Sequence, residues 1–360
     1  MLESIMIDGY KSIKKLSSRA FSLNKLNVLI GANGAGKSNF ISFFKMLRAL
    51  IEQNLQIYVE KEGGVDALLH YGRKETNCIL GTITIAQHSG TYHFTLNPTQ
   101  DNRFIFRQEV IYYEDVEQGS QKCLSEGHKE AIIKDYINHI DKEIYQIISS
   151  FRIYHFQDTG VSAKVKQVHT VHDNIRLKED AANLAAFLRR LYEDYKSYYD
   201  HIVHTIQMAA PFFGGFIYRE NVKHVELEWF EHHDPDTPLK AYRLSDGTLR
   251  FICLVTLLLQ PDELSSDTIL IDEPELGLHP YAINILAALL KRTSEFKQLI
   301  ISTQSVELIS QFNPEDIIVV DRVNDASTFK RLNSEELQTW LEDYSIGELW
   351  EKNIIGGRPT

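Results

Sequence analysis

The chain has 360 residues, more than one compact core usually spans, so a main domain with an inserted or second domain is expected. Apolar residues make up 43% and charged residues 24%, an ordinary globular profile, and no run approaches the roughly 18 apolar residues of a membrane helix. A net charge of −11 excludes a surface coated in positive potential, and three scattered cysteines, Cys78, Cys123 and Cys253, exclude a disulfide framework or a CxxC zinc site.

Strand-like runs come first, at residues 2–7, 20–23 and 26–30, and the third runs straight into a glycine-rich loop. Residues 39–53 carry Phe40, Phe43, Phe44, Leu47 and Leu50 at helical spacing, which predicts an amphipathic helix. From about 64 to 113 the pattern changes to short β-like runs (CILGTITIA, TYHFTL, FIFRQEVIYY) broken by Gly, Asn, Pro and Asp. Helices are predicted at 129–149 and 180–208, a strand pair at 215–219 and 224–230, and an exposed loop at 231–237. An α/β alternation then returns: helix 247–259, strand 268–272, helix 280–293, strand 298–302, helix 305–311, strand 316–320. The expected fold is an α/β core split by a long α+β insertion. Residues 1–60 form its N-terminal part, 61–235 the insertion, lid and helical subdomain, and 236–360 its C-terminal part. The N-terminus has no apolar signal core, so a cytoplasmic location is expected.

Residues 31–38 (GANGAGKS) match GxxxxGK[ST], between an apolar strand and an amphipathic helix. Glycines let the backbone curl so that N–H groups point at phosphate oxygens, and the following helix adds its positive end. Asn33, Gly34, Ala35, Gly36, Lys37, Ser38 and Asn39 are therefore the expected nucleotide-binding residues. Lys37 would reach the β- and γ-phosphates of ATP, and the Ser38 hydroxyl would ligate Mg2+. Downstream, the apolar strand TILI ends in Asp272-Glu273. Asp272 is placed to hold Mg2+, and Glu273 to orient or deprotonate the attacking water. Ser245-Asp246-Gly247 opens an apolar helix, and the same residues also fit an ordinary N-cap.

At its position the LSDGT string resembles the signature motif of ABC ATPases (LSGGQ-like), where Ser245 and Gly247 of one subunit would cover the ATP held by the other. That resemblance implies a homodimer with ATP at its interface and a P-loop NTPase core of ABC type, a mixed sheet flanked by helices. It also makes Gln157, after a strand-like run, look like the Q-loop glutamine that reaches Mg2+. On the residues alone, Gln157 fits a polar residue closing a strand equally well. Gln304 stands where such ATPases usually carry a switch histidine; an amide can donate a hydrogen bond but carries no proton or charge. With EPELGLHP at 273–280, the opening GYKSI and the tail GELWEKNIIGGRP, the chain resembles the RecF/SMC-like predicted ATPases related to the OLD family. These serve DNA repair, chromosome maintenance and anti-phage defence. In them, residues 276–279 form a D-loop that crosses to the partner, and His279 fits either that role or a lone surface histidine. The stretch after Gln304 suffices for a closing strand and helices but not for the Toprim nuclease of OLD proteins. Any cutting of nucleic acid would then fall to an effector protein, a nuclease or toxin. Lys11, Lys14, Lys15, Lys164, Lys166, Arg189 and Arg190 could form a local basic patch for DNA, or simply solvated faces of an acidic protein. Two readings stay open: a Mg-ATP-hydrolysing enzyme, and a nucleotide-gated interaction module with negligible turnover.

Overall fold

The computed structural model describes residues 1–17, 21–85, 90–113, 121–135 and 139–358. β1 (Leu2–Tyr10) turns at Lys11 into β2 (Ile13–Leu16). β3 (Leu26–Ile30), buried at every position, leads through the glycine loop to α1 (Lys37–Ile51). α2 (Leu55–Lys61) and α3 (Val65–Leu68) follow. β4 (Ile79–Ile85), β5 (Gly90–Pro98), β6 (Phe104–Tyr112) and β7 (Gln121–Ser125) complete a six-stranded sheet of order β2-β1-β4-β5-β6-β7. Its pairs are antiparallel. The apolar stripe of α1 lies on it: Phe43 meets Tyr10 edge-on at 5.2 Å and stacks on Phe94 at 6.4 Å. α4 (His139–Ser149) and β8 (Arg152–Tyr154) follow.

Then come β9 (His169–Thr170), α5 (Leu184–Asp194), α6 (Lys196–Ala209), β10 (Phe213–Phe216), β11 (His224–Val225), β12 (Glu228–Glu231) and β13 (Asp234–Lys240). α7 (Asp246–Leu259) is apolar on nearly every face, with Leu249 and the run from Phe251 to Leu259 buried, so it forms the centre of its own packing layer. β14 (Thr268–Asp272), α8 (Pro280–Ser294), β15 (Gln298–Thr303), α9 (Val306–Ile309), β16 (Ile317–Val323), β17 (Ala326–Arg331), α10 (Ser334–Leu341) and α11 (Ile346–Glu351) complete the chain. A second six-stranded sheet has the order β17-β16-β3-β15-β14-β8. It is mixed: β16 runs parallel to β3 and antiparallel to β17. The chain divides into two compact units, Met1–Arg152 with Asp267–Leu270 and Ile300–Thr360, and Ile153–Ser266 with Ile271–Leu299.

Several expected elements differ. The helix of 180–208 is two, α5 and α6, broken at Tyr195, where the backbone leaves helical angles (φ −136°, ψ 51°). Its first residues form a turn instead: Ala181 takes φ 53°, and the Asn183 amide donates to Asp173 O and Arg176 O at 2.8 Å each. Residues 231–237, expected as a loop, run into β13. That segment is poor in strand-formers, and pairing is what extends it: Trp229 opposite Leu239 and Glu228 opposite Lys240, with Trp229 buried. Of the helix expected at 129–149, a short 3-10 turn (Ile133–Asp135) and α4 form, and residues 136–138 lie outside the described residues. The run at 20–23 makes one bridge, Ser22 to Ser4; Ala20 lies outside the described residues, as does Ala86 of the CILGTITIA run. Among the described residues no helix is long and apolar enough to cross a membrane.

Candidate functional site

The phosphate loop hangs from β3, which is held in register by Val28 opposite Ile317 and Ile30 opposite Val319 of β16. A Cβ on Gly31 would lie 2.2 Å from Val320 O, so the loop can start only with glycine at this approach. Gly36 caps α1 in left-handed geometry (φ 118°) with no side-chain cap, which leaves the first N–H groups of the helix available to an anion. Lys37 is only 5% exposed, and its Nζ donates to Gly31 O at 2.5 Å and Ala32 O at 3.1 Å. The ammonium is thus stored over the loop's own carbonyls. Asn33, Gly34 and Ser38 are exposed, and nothing stands within 4 Å of where a Gly34 Cβ would be.

Two serines brace this loop. Ser327 Oγ of β17 donates to Ala35 O at 2.6 Å and lies 2.7 Å from Ser12 Oγ. The Ser12 hydroxyl in turn accepts from the Asn39 amide at 2.7 Å, and Ser327 N donates to Ser12 O at 2.8 Å. Asn39, expected among the nucleotide-binding residues, therefore ties α1 to the GYKSI turn.

In the other unit, β14 ends at Asp272, which is half-buried. Its Oδ1 is buried with no hydrogen-bond partner among the described residues, and its Oδ2 lies 3.7 Å from His155 Nδ1. A buried carboxylate oxygen without a donor fits a hard cation such as Mg2+, which uses one or two carboxylates and keeps waters on its other positions. The next residue, Glu273, takes φ 49°, a strained backbone for a non-glycine, and its Oε2 accepts from Gln157 Nε2 at 2.8 Å. The Gln157 amide and the Glu273 carboxylate are thus directly joined.

Ser245 caps α7, its Oγ accepting from Thr248 N at 3.1 Å. A Cβ on Gly247 would strike Gly277 O at 2.1 Å, so the start of α7 and the 275–278 loop touch backbone to backbone. Arg250, one turn into α7, binds around that contact. Its guanidinium donates to Phe156 O at 3.0 Å, Gln157 O at 2.8 Å, Thr159 Oγ1 at 3.2 Å and Leu276 O at 2.9 Å. One rigid fork therefore connects three segments that the sequence separates by up to 120 residues. His279 caps α8 through Nδ1, with Tyr281 N donating at 3.3 Å, and is exposed.

The family profile described as "AAA domain, putative AbiEii toxin, Type IV TA system" (AAA_21) matches residues 114–310, more than half of the chain. The chain belongs to the AAA_21 family. Solved structures similar to it include an SMC head bound to the C-terminal winged-helix domain of ScpA (TM-score 0.62, 15% identity, 94% of this chain and 99% of that one). They also include the SMC head domain from Thermotoga maritima (TM-score 0.51, 14% identity, 92% and 99%). A third is an Smc head with extended coiled coil bound to the C-terminal domain of ScpA, derived from Pyrococcus furiosus (TM-score 0.56, 15%, 95% and 98%). At these identities the likeness shows the fold, the ABC/SMC-like P-loop ATPase fold. A stretch of 72 residues is 39% identical to structural maintenance of chromosomes protein 3 of Arabidopsis thaliana, spanning 20% of this chain and 6% of that protein.

The matched AAA_21 region holds Gln157, Ser245, Gly247, Asp272, Glu273 and Gln304, whereas the phosphate loop precedes it. Gln304 lies half-buried in the link between β15 and α9. Sequence reading missed Ser12 and Ser327 beside the phosphate loop in one unit, and His155 and Arg250 near Asp272 and Gln157 in the other. Ser12 sits inside the GYKSI phrase, but nothing in a lone serine or histidine announces a bracing role. Of the seven basic residues offered as a DNA patch, five pair with acids: Lys11 with Glu62, Lys164 with Asp180, Lys166 with Asp246, Arg189 with Glu193 and Arg190 with Asp194.

Proposed function

We propose that this AAA_21 protein binds Mg-ATP between two copies of itself and hydrolyses it to ADP and phosphate. The observation that carries the reading is the Gln157–Glu273 hydrogen bond on a strained backbone, beside an Asp272 oxygen that lacks a donor. Strain of this kind costs about 1–3 kcal/mol and persists where surrounding structure over-determines it. In the proposed reaction Lys37 leaves the Gly31 and Ala32 carbonyls for the β- and γ-phosphate oxygens, and the backbone N–H groups of residues 33–38 cradle them. Ser38, Asp272 and Gln157 would hold Mg2+, which when bound would neutralise phosphate charge. Glu273 orients and deprotonates the attacking water, and Gln157 fixes the carboxylate that does so. Ser245 and Gly247 of the second copy cover the γ-phosphate with the N-terminus of α7, and Gln304 adds an amide donor. The family description and the SMC-head fold support a role beside an effector protein, a nuclease or toxin, in DNA repair or anti-phage defence. The similar SMC heads bound to ScpA support a protein partner of this kind. Direct DNA contact is a weaker branch of the proposal, since most of the candidate basic residues are already paired with acids.

The second reading, a nucleotide-gated module with negligible turnover, is favoured by Gln304, which carries no proton. Phosphate release and molar mass measured together on wild type, Lys37→Ala and Glu273→Gln separate the two. The enzyme reading expects turnover lost in both variants, by at least about a hundredfold, and an ATP-trapped dimer for Glu273→Gln. Equal, barely measurable release from wild type and Glu273→Gln, with ATP-dependent dimers from both, would replace it by the module.

A further inference from the structure

The tail phrase GELWEKNIIGGRP has no place in the proposed reaction, yet the structure gives it a specific seat. Pro359 lies outside the described residues; the segment through Arg358 is described. α11 starts at a capping box, with Ser345 Oγ accepting from Glu348 N at 3.3 Å and Ser345 N donating to Glu348 Oε2 at 2.8 Å. It seats on α9 so closely that a Cβ on Gly347 would lie 2.4 Å from Val306 O. α9 is the helix that follows Gln304. After α11 the chain passes through Gly356 and Gly357, both left-handed (φ 80° and 79°). Gly357 N donates to Asp321 Oδ2 at 3.4 Å. The Cβ position of Gly357 is 2.9 Å from Val319 Cγ1, 3.4 Å from Gly31 Cα and 3.4 Å from Trp350 Nε1. Arg358 lies over the Trp350 ring, 5.7 Å from its centroid.

We propose that this tail is a positioning strap: Gly357 holds Gly31, the first residue of the phosphate loop, while α11 holds the segment that carries Gln304. The proposal rests on the ATP-binding reading above. Gly31 is pinched between the Val320 carbonyl and the tail, and its own carbonyl is the one that stores Lys37. The orientation of that peptide decides where the Lys37 ammonium rests and how readily it transfers to phosphate. Only glycine serves at 357, since both its backbone angle and its contact with Val319 exclude a side chain. Trp350 packs at the same spot, so its emission reports the state of the strap.

The test measures affinity for a fluorescent ATP analogue, tryptophan emission on adding Mg-ATP, and thermal stability without nucleotide. The variants are Gly357→Val, Arg358→Ala, Arg358→Lys, Trp350→Phe and Lys37→Ala. Gly357→Val is expected to weaken ATP binding about tenfold or more, from strain transmitted to the loop. Arg358→Ala should weaken it about threefold, and Arg358→Lys, which keeps a cation over the ring, should restore it. The ATP-dependent part of the emission should vanish in Trp350→Phe and in Lys37→Ala. Arg358 is half-buried and its variants leave both tail glycines in place, so the pair stays informative even if Gly357→Val fails to fold. Wild type that binds ATP, with folded Gly357→Val and Arg358→Ala binding equally tightly, overturns the strap and leaves the ATP reading standing. A folded wild type that binds no ATP overturns both.

Discussion

Gly36 shows how a single hydrogen in place of a side chain shapes the loop. Its missing Cβ is occupied by Ser327 Oγ, 2.0 Å away, and Ser12 Oγ, 2.8 Å away, the pair that braces Ala35 and Asn39. Gly36→Ala must displace that hydroxyl pair and also adopt φ 118°, which alanine rarely takes. The expected result is an ATP affinity lowered about ten- to a hundredfold, with a lower midpoint of thermal unfolding as well, because Ser327 is buried. Isothermal titration with ATP and a thermal scan check it; unchanged affinity would mean that the serines do not set the loop. The phosphate loop itself was legible because its eight residues are contiguous and each has a fixed job. Its braces were not, because Ser12 and Ser327 are 315 residues apart and become neighbours only when β17 closes beside β16.

At the scale of elements, α7 is a largely buried apolar helix that opens with the Ser245 cap, and Arg250 is the one charged residue in its first two turns after Asp246. Hydrogen bonds to a charged group contribute about 1.5–3 kcal/mol each, though four on one side chain are far from additive. Arg250 secures the backbone on either side of Gln157 and the loop after Glu273. Arg250→Ala is therefore expected to lower kcat about ten- to a hundredfold while changing ATP affinity less than about threefold. Arg250→Lys should not restore it, since one ammonium cannot span a fork that reaches both loops. Comparing phosphate release with ATP-analogue binding checks the split; equal losses in both would assign Arg250 a purely structural role. α1 was legible through the helical spacing of its apolar residues, and α7 and α8 as apolar segments within the α/β alternation of the sequence. β13 was not, because strand formation by Asp-Pro-Asp-Thr-Pro comes from the partner strand and not from local preference.

For the whole molecule the decisive quantity is charge. Each copy carries −11, so bringing two together works against long-range repulsion. Salt screens that repulsion: the Debye length falls from about 14 Å near 50 mM to about 7 Å near 200 mM. The ATP-dependent dimer proposed for Glu273→Gln should therefore tighten as salt rises, with the dissociation constant falling about two- to fivefold across that range. Binding to a DNA phosphate backbone has the opposite sign, since each cation–phosphate contact releases counterions and loses affinity steeply as salt is added. Sedimentation of Glu273→Gln with Mg-ATP, and retention of duplex DNA, measured over one salt series, place the two interactions on opposite slopes. A dimer that loosens with salt would mean that local ion pairs dominate its interface and that the net charge of the copies is not what opposes association. DNA retained undiminished at the higher salt would remove the basic residues as its contact surface.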